Sequence, residues 1–376
     1  MKSSQVIHCW RVLAALLITT VLFGCAELSP TNPEAQQQSM TLERQQDAQA
    51  VRDTATPATG RRVWFAGFAM SSASTAFQND MELVSSRLSE LGGPVVKYED
   101  SNGQQTGRLR YPFATPATLA EAVQHISSHA GPDDIVVVFI STHGNRKILG
   151  VNAAHKEFQP MTAGELSAAL APLGKRPTVV ILSACFAGSF LPELQGERRI
   201  VITAASGERA SFGCQPASRN TFFTEGLFAT DFDASKSLSQ LMAQAKVEIA
   251  RREHVLKFPN SEPQMSVGLK VRWLAERPLK DWFQPGNEIN DAPPVAPLSL
   301  LGDAGKNAYR KYQSEPSPRA FVISSGGAGQ YAVGTTPKDA SLPSDPAARA
   351  LALCNRRGLA DCRLYAVDDR VVWSEH

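Results

Sequence analysis

The chain has 376 residues, 43% of them hydrophobic and 20% charged, with 38 Lys and Arg against 36 Asp and Glu. That much apolar residue buries a sizeable core, which excludes disorder throughout, a collagen-like fibre and a disulfide-stapled miniprotein. The net charge of +2 gives no sign of a nucleic acid or other polyanion as partner.

Lys2 and Arg11 flank the start of an uncharged apolar run from Val12 to Phe23, which closes on Leu22-Phe23-Gly24-Cys25. A spanning helix needs about 20 apolar residues, so residues 1–24 read instead as a secretory signal peptide. Leu-Phe-Gly-Cys resembles the lipobox of bacterial lipoproteins, which implies cleavage before Cys25 and acylation of it, an anchor that does not span the membrane. Ala26 in place of Asp resembles an outer-membrane sorting signal, so the expected location is the inner leaflet of the outer membrane, facing the periplasm. Residues 25–61 are rich in Gln, Ser, Thr, Pro, Glu and Asp and read as a flexible, solvated tether of about 30 to 35 Å.

From Val63 short apolar strands alternate with amphipathic helices. Val63 to Phe68 has buried-strand length, and Phe77, Met81, Val84, Leu88 and Leu91 follow at helical spacing. Val95 to Tyr98 predicts a strand and Leu119, Val123 and Ile126 a helix. Gly131-Pro132-Asp133-Asp134 then turns into the strand Ile135 to Ile140. Thr162 and Glu165 fit a capping box before Leu166 to Leu170. Strands at Thr178–Ser183 and Ile200–Thr203 and a long helix at Leu238–Val255 complete the pattern. β-branched strands apolar on both faces predict an α/β domain over residues 62–276, a mostly parallel sheet with helices on both faces. Ligand sites in such sheets form at the carboxyl ends of the strands.

Residues 277–300 shift to Pro, Asn, Asp and Gly and read as a linker. Beyond it, Arg319–Ile323 predicts a strand, Pro346–Arg356 a helix, and Arg363–Val367 with Val371–Trp373 a hairpin. These make a small α+β module over 301–376. A disulfide between Cys354 and Cys362 would stabilise so small a core in an oxidising compartment, the other reading being two free thiols or half a metal site. Gly326-Gly327-Ala328-Gly329 lacks the spacing of a dinucleotide fingerprint and reads as a loop or hairpin.

Two strand ends carry chemistry. One runs into Ser141-Thr142-His143-Gly144 and the other into Ser183-Ala184-Cys185-Phe186-Ala187-Gly188, with His143 and Cys185 42 positions apart. In a parallel sheet both emerge at the same edge, so imidazole and thiol can meet across a cleft, as cysteine protease chemistry requires. Gly144 lets its backbone N–H approach a substrate carbonyl, and the Cys185 N–H joins it as an oxyanion hole. Taken singly, His143 and Cys185 each favour an ordinary core residue.

Together, His-Gly upstream and Ala-Cys-x-x-Gly downstream resemble the arrangement of the caspase-like fold. Ser183 stands where the caspase pentapeptide has Gln. The chain is more similar to the legumain-like C13 cysteine peptidases, over about Arg62 to Gly268. The matching residues are Gly131 to Asp134, Ser141 to Gly144, Ser183 to Cys185, Val201 to Ala205, Glu208 to Cys214, Thr221 to Phe223 and Glu262 to Gln264. The resemblance implies a caspase-like fold, an endopeptidase working through an acyl-enzyme without a cofactor, and His143 and Cys185 as dyad. It places Cys214 at a structural cysteine near the site and Glu225 at the acid of the specificity pocket, which would suit a basic or amide side chain. Eukaryotic legumains have Asn where this chain has Ala69 and basic pocket residues near Ala76 and Phe77, so preference for asparagine does not carry over.

His125 and His129 lie one helical turn apart, but Ile126 stands where a zinc protease needs Glu, so they read as a solvated face and no metal is expected. The pairs Arg198-Arg199, Arg251-Arg252 and Arg356-Arg357 lack interleaved aromatics and read as solvated charge. Two alternatives stay open to the enzyme reading. One is a catalytically silent envelope scaffold or binding lipoprotein, and the other a transamidase using the same dyad.

Overall fold

The structure is a computed structural model and describes residues 33–55, 60–103, 109–153, 156–216, 218–284, 300–339, 341–368 and 370–372. Helix α1 (Pro33–Ala55) leads to strand β1 (Val63–Ala69), α2 (Thr75–Ser89), β2 (Val95–Ser101), α3 (Pro116–His129) and β3 (Ile135–Ser141). Five two-residue strands follow, β4 (Gly144–Asn145), β5 (Ile148–Leu149), β6 (Asn152–Ala153), β7 (Lys156–Glu157) and β8 (Met161–Thr162). Then come α4 (Ala163–Leu170), β9 (Thr178–Ser183), α5 (Leu191–Leu194), β10 (Arg199–Thr203), α6 (Phe222–Phe228), α7 (Leu238–Val255), β11 (Gln264–Val267) and α8 (Arg272–Glu276).

The main sheet has the order β11-β10-β9-β3-β1-β2, parallel except for β11. Chain direction across the sheet reverses at β1, which pairs β2 on one side and β3 on the other, and such a reversal opens a crevice beyond the strand ends. Alternate residues of each strand enter opposite cores. Val136, Val138, Ile140, Val180 and Leu182 face α3 and α4, whereas Ile135, Val137, Phe139, Val179 and Ile181 face α2, α6 and α7. Period-two alternation thus puts Ser141 and Ser183, the last residues of β3 and β9, on the α2 side.

The expected tether is a correction. Pro33–Ala55 is one helix, with Ser39 and Ala50 buried. It docks largely through polar groups. Gln38 Nε2 donates to Leu109 O at 3.3 Å, Gln46 Nε2 to Glu99 O at 2.9 Å, and Ser39 Oγ accepts from Phe113 N at 3.0 Å. The segment has few large apolar residues, Leu42 packing against the core, because amides satisfying the backbone beside edge strand β2 supplement a small apolar contact, and its Gln, Glu, Ala and Arg are good helix formers. Cys25 lies outside the described residues.

The expected boundary near residue 276 also moves. Leu279 and Trp282 are buried in the α2-side core, and Arg61 N donates to Phe283 O at 3.3 Å. Those bulky residues carry the domain to Gln284, and of the expected linker residues 285–299 lie outside the description.

In the C-terminal part, α9 (Asp303–Ser314), β12 (Arg319–Ile323), β13 (Gly329–Val333), α10 (Pro346–Arg356), β14 (Arg363–Val367) and β15 (Arg370–Val371) form an antiparallel sheet of order β13-β12-β14-β15. The turn before Gly329 joins β12 to β13, so the glycine-rich stretch is a hairpin. Leu301, Tyr312, Phe321, Ile323 and Tyr365 pack together, and Ala320, Val322, Ala332, Ala350 and Cys354 form a second small cluster. Cys354 and Cys362 are joined by a disulfide that closes a short loop, sequence separation 8. Replacing both with Ser is expected to destabilise this part by about 2 kcal/mol. Differential scanning calorimetry checks this, and a thermal profile identical to wild type would refute it.

Candidate active site

Strands β3 and β9 pair in parallel, Ser141 opposite Ser183, and His143 and Cys185 each follow two residues later. They therefore stand at equal height on neighbouring strand ends, where strands run about 4.8 Å apart. Thr142 N donates to Ser183 O at 3.1 Å, which carries the ladder up to the site. Gly144 comes close to the chain just beyond β9. A Cβ there would lie 2.4 Å from Cys185 O and 3.0 Å from the Ala184 Cβ. Gly150 N donates to His143 O at 2.8 Å, and Gly144 is opposite Leu149 in the β4–β5 hairpin. Alternation of bonded and non-bonded antiparallel pairs then turns the Gly144 N–H away from β5.

Cys185 is half-buried and free of any disulfide, as is Cys214. Its Sγ lies against Ser211, accepting from Ser211 N at 3.3 Å and Oγ at 3.6 Å and approaching Ser211 O at 3.4 Å. The next residue, Phe186, has a left-handed φ of 56°, an uncommon conformation for a bulky side chain. Loop contacts hold it there, with Phe186 N donating to Arg209 O at 2.8 Å and Ser189 Oγ to Phe186 O at 2.7 Å. The chain, which leaves β9 at Ser183, turns immediately after the thiol, so Cys185 sits at a corner.

His143 keeps an exposed edge, while its ring meets Phe77 edge-on at 5.0 Å between centroids. Burial of the rest lowers its pKa below the usual histidine value, so the neutral imidazole predominates at neutral pH and can act as a base. Ala69, at the end of β1, offers no polar group to orient the ring. Phe77, at a position expected near the specificity pocket, supplies an aromatic contact instead. Burial, and secondarily the charge of Cys185, raises the Cys214 thiol.

Glu225 lies on α6 beside α7, its carboxylate pairs with Arg252 Nη1 at 2.6 Å, and that guanidinium lies over the Phe222 ring at 3.8 Å. These residues line an open pocket of about 420 Å³ between α6 and α7. His125 contacts Tyr98 through Nδ1, His129 Nδ1 meets His125 O at 2.9 Å, and the rings stack at 4.0 Å. Sequence reasoning missed Ser211, Phe186 and a buried acid, Asp80. Asp80 had a legible signal, since it sits on the apolar stripe of α2 with Phe77, Met81 and Val84.

Residues 119–272 match the model of the Peptidase C13 family. The matched segment contains His143 and Cys185 and leaves out α1 through β2 and the C-terminal sheet. Among solved structures, the chain is similar to the crystal structure of Caspase-1 from Spodoptera frugiperda, at 13% identity and a TM-score of 0.36, over 55% of this chain and 86% of that one. No curated protein matches the chain.

Proposed function

We propose, from the match of residues 119–272 to the Peptidase C13 family model, that this chain is a cysteine endopeptidase whose dyad is His143 and Cys185. The observation that supports this is the register of β3 with β9, which sets residues 143 and 185 each two positions beyond a paired strand end. His143 takes the proton of Cys185, whose sulfur attacks the scissile carbonyl carbon. The Gly144 and Cys185 N–H groups receive the developing oxyanion. The tetrahedral intermediate collapses to a thioester as His143 protonates the departing amine. Water, deprotonated by the same imidazole, then hydrolyses the thioester and restores the thiol. A thiol-reactive peptidyl probe should label the full chain at Cys185 and leave Cys185→Ala unlabelled. Equal labelling of that variant would sink the assignment.

We further propose that acylation at Cys25 holds the peptidase to the bacterial envelope, a reading that rests on the lipobox-like Leu22-Phe23-Gly24-Cys25. No helix among the described residues is long and apolar enough to cross a membrane. Cells fed an alkyne fatty acid should incorporate it into the wild-type chain, whereas Cys25→Ser should carry no label. Incorporation into Cys25→Ser would refute the anchor.

A further inference from the structure

Asp80 has no exposed surface, and a buried carboxylate is costly unless hydrogen bonds satisfy it. Five donors reach it. Oδ2 accepts from Ser141 Oγ at 2.9 Å, Ser183 Oγ at 3.3 Å and Thr221 Oγ1 at 2.7 Å, and Oδ1 accepts from Thr221 N and Asn220 Nδ2, both at 3.0 Å. Every donor is neutral, so the side chain belongs to no ion pair of the usual structural kind. Ser141 and Ser183 end β3 and β9, and each lies two residues before a member of the dyad. Thr221 is the N-cap of α6, donating from Oγ1 to Asp80 while accepting from Thr224 N at 3.2 Å. One carboxylate thus ties together α2, both dyad-bearing strands and α6.

Resting on the dyad reading above, we propose that Asp80 is the positioning residue of the active site: its carboxylate gathers the ends of β3 and β9 and thereby sets the separation and aim of His143 and Cys185. It contacts no reacting atom and acts through the two serines. Three hydroxyls converge on Oδ2, which they can do only while that oxygen is a pure acceptor. Protonation there turns one of these contacts around and loosens the knot.

Burial raises the Asp80 carboxyl to about 6, against the pull of its donors. The ionised, fully accepting form therefore prevails above about pH 6, and positioning is lost as pH falls through that value. Cys214 feels the Asp80 charge, and burial lowers the His143 pKa. Charged groups on the packed elements are engaged elsewhere. Glu82 accepts from Tyr111 and Arg110, Glu90 from Arg87, and Glu225 from Arg252. Asp100 of β2 is held by Thr118, with Glu43, Glu121 and Asp47 as its acidic neighbours.

The test measures kcat and KM of the full chain on a cleavable peptide between about pH 5 and 8, for wild type and Asp80→Asn, which keeps the shape and removes the charge. At pH 8 the variant is expected to lose about 10- to 100-fold in kcat, with KM changed little, the signature of misplaced reacting groups. The ratio of wild-type to variant kcat should fall toward one below pH 6, because the wild-type carboxyl is then protonated too. A ratio constant across pH, or a variant with wild-type kcat, overturns the proposal. Should the thermal transition show Asp80→Asn to be unfolded, Ser141→Ala combined with Ser183→Ala decides. A fall of about tenfold in kcat at constant KM supports the role, and wild-type kcat ends it. Cys185→Ala runs in parallel. Activity persisting there defeats the dyad itself, whereas activity lost there with a constant Asp80→Asn ratio defeats only the positioning role.

Discussion

Cys185→Ala is expected to lower kcat/KM for a cleavable peptide by about 10⁴- to 10⁶-fold, the scale seen when a nucleophile acting as part of a unit is deleted. On the proposed mechanism the sulfur forms the thioester, and His143 has no task once it is gone. Stability should change little. Cys185 is half-buried, and its Sγ hydrogen-bonds with Ser211 at the surface, so a methyl leaves no deep cavity. A variant with wild-type melting behaviour and no turnover is therefore the expected outcome. Retention of a tenth or more of the activity would show that another group performs the chemistry.

Gly144→Ala is expected to cost about 100-fold in kcat without unfolding the chain. The new Cβ would lie 2.4 Å from Cys185 O. A backbone oxygen cannot step aside as a flexible side chain does, so the hairpin carrying residue 144 must shift relative to the Cys185 corner. That displaces an oxyanion donor and widens the dyad in one movement. Gly164→Ala provides the contrast. It lies in α4 with nothing within 4 Å of a new Cβ, and helix propensity predicts a gain of up to about 1 kcal/mol with unchanged kinetics. Wild-type kcat in Gly144→Ala would mean that the close approach of these strand ends has no bearing on turnover.

Several elements were legible because their signals are local. Leu238–Val255, Thr178–Ser183 and Pro346–Arg356 have the same limits in sequence pattern and structure, each bounded by a cap or a strand of β-branched residues. His143 and Cys185 stood out as a candidate pair because a parallel sheet sends both strand ends to one edge. What was not legible depends on contacts distant in sequence. Helix α1 looked like solvated chain because its partners are backbone groups on β2 and near Phe113, which no periodicity announces. Asp80 reads as a lone acid on an apolar stripe until Ser141, Ser183 and Thr221 arrive from 61, 103 and 141 positions away. Arg252 likewise reaches Glu225 from the next helix, a contact that no periodicity announces.

The docking of α1 changes the working distance of the enzyme. With Cys25 as the proposed anchor, only the seven residues 26–32 separate the acylated position from the first turn of a helix fixed to the catalytic body. Even at full extension such a leash reaches no more than about 25 Å, less than the diameter of a small domain. An enzyme held so tightly samples a thin layer of space along the bilayer, and its targets become proteins whose cleavable segments lie in that layer. Position relative to the lipid surface would then act as a filter on substrates in its own right, independent of the side chains around the cleft.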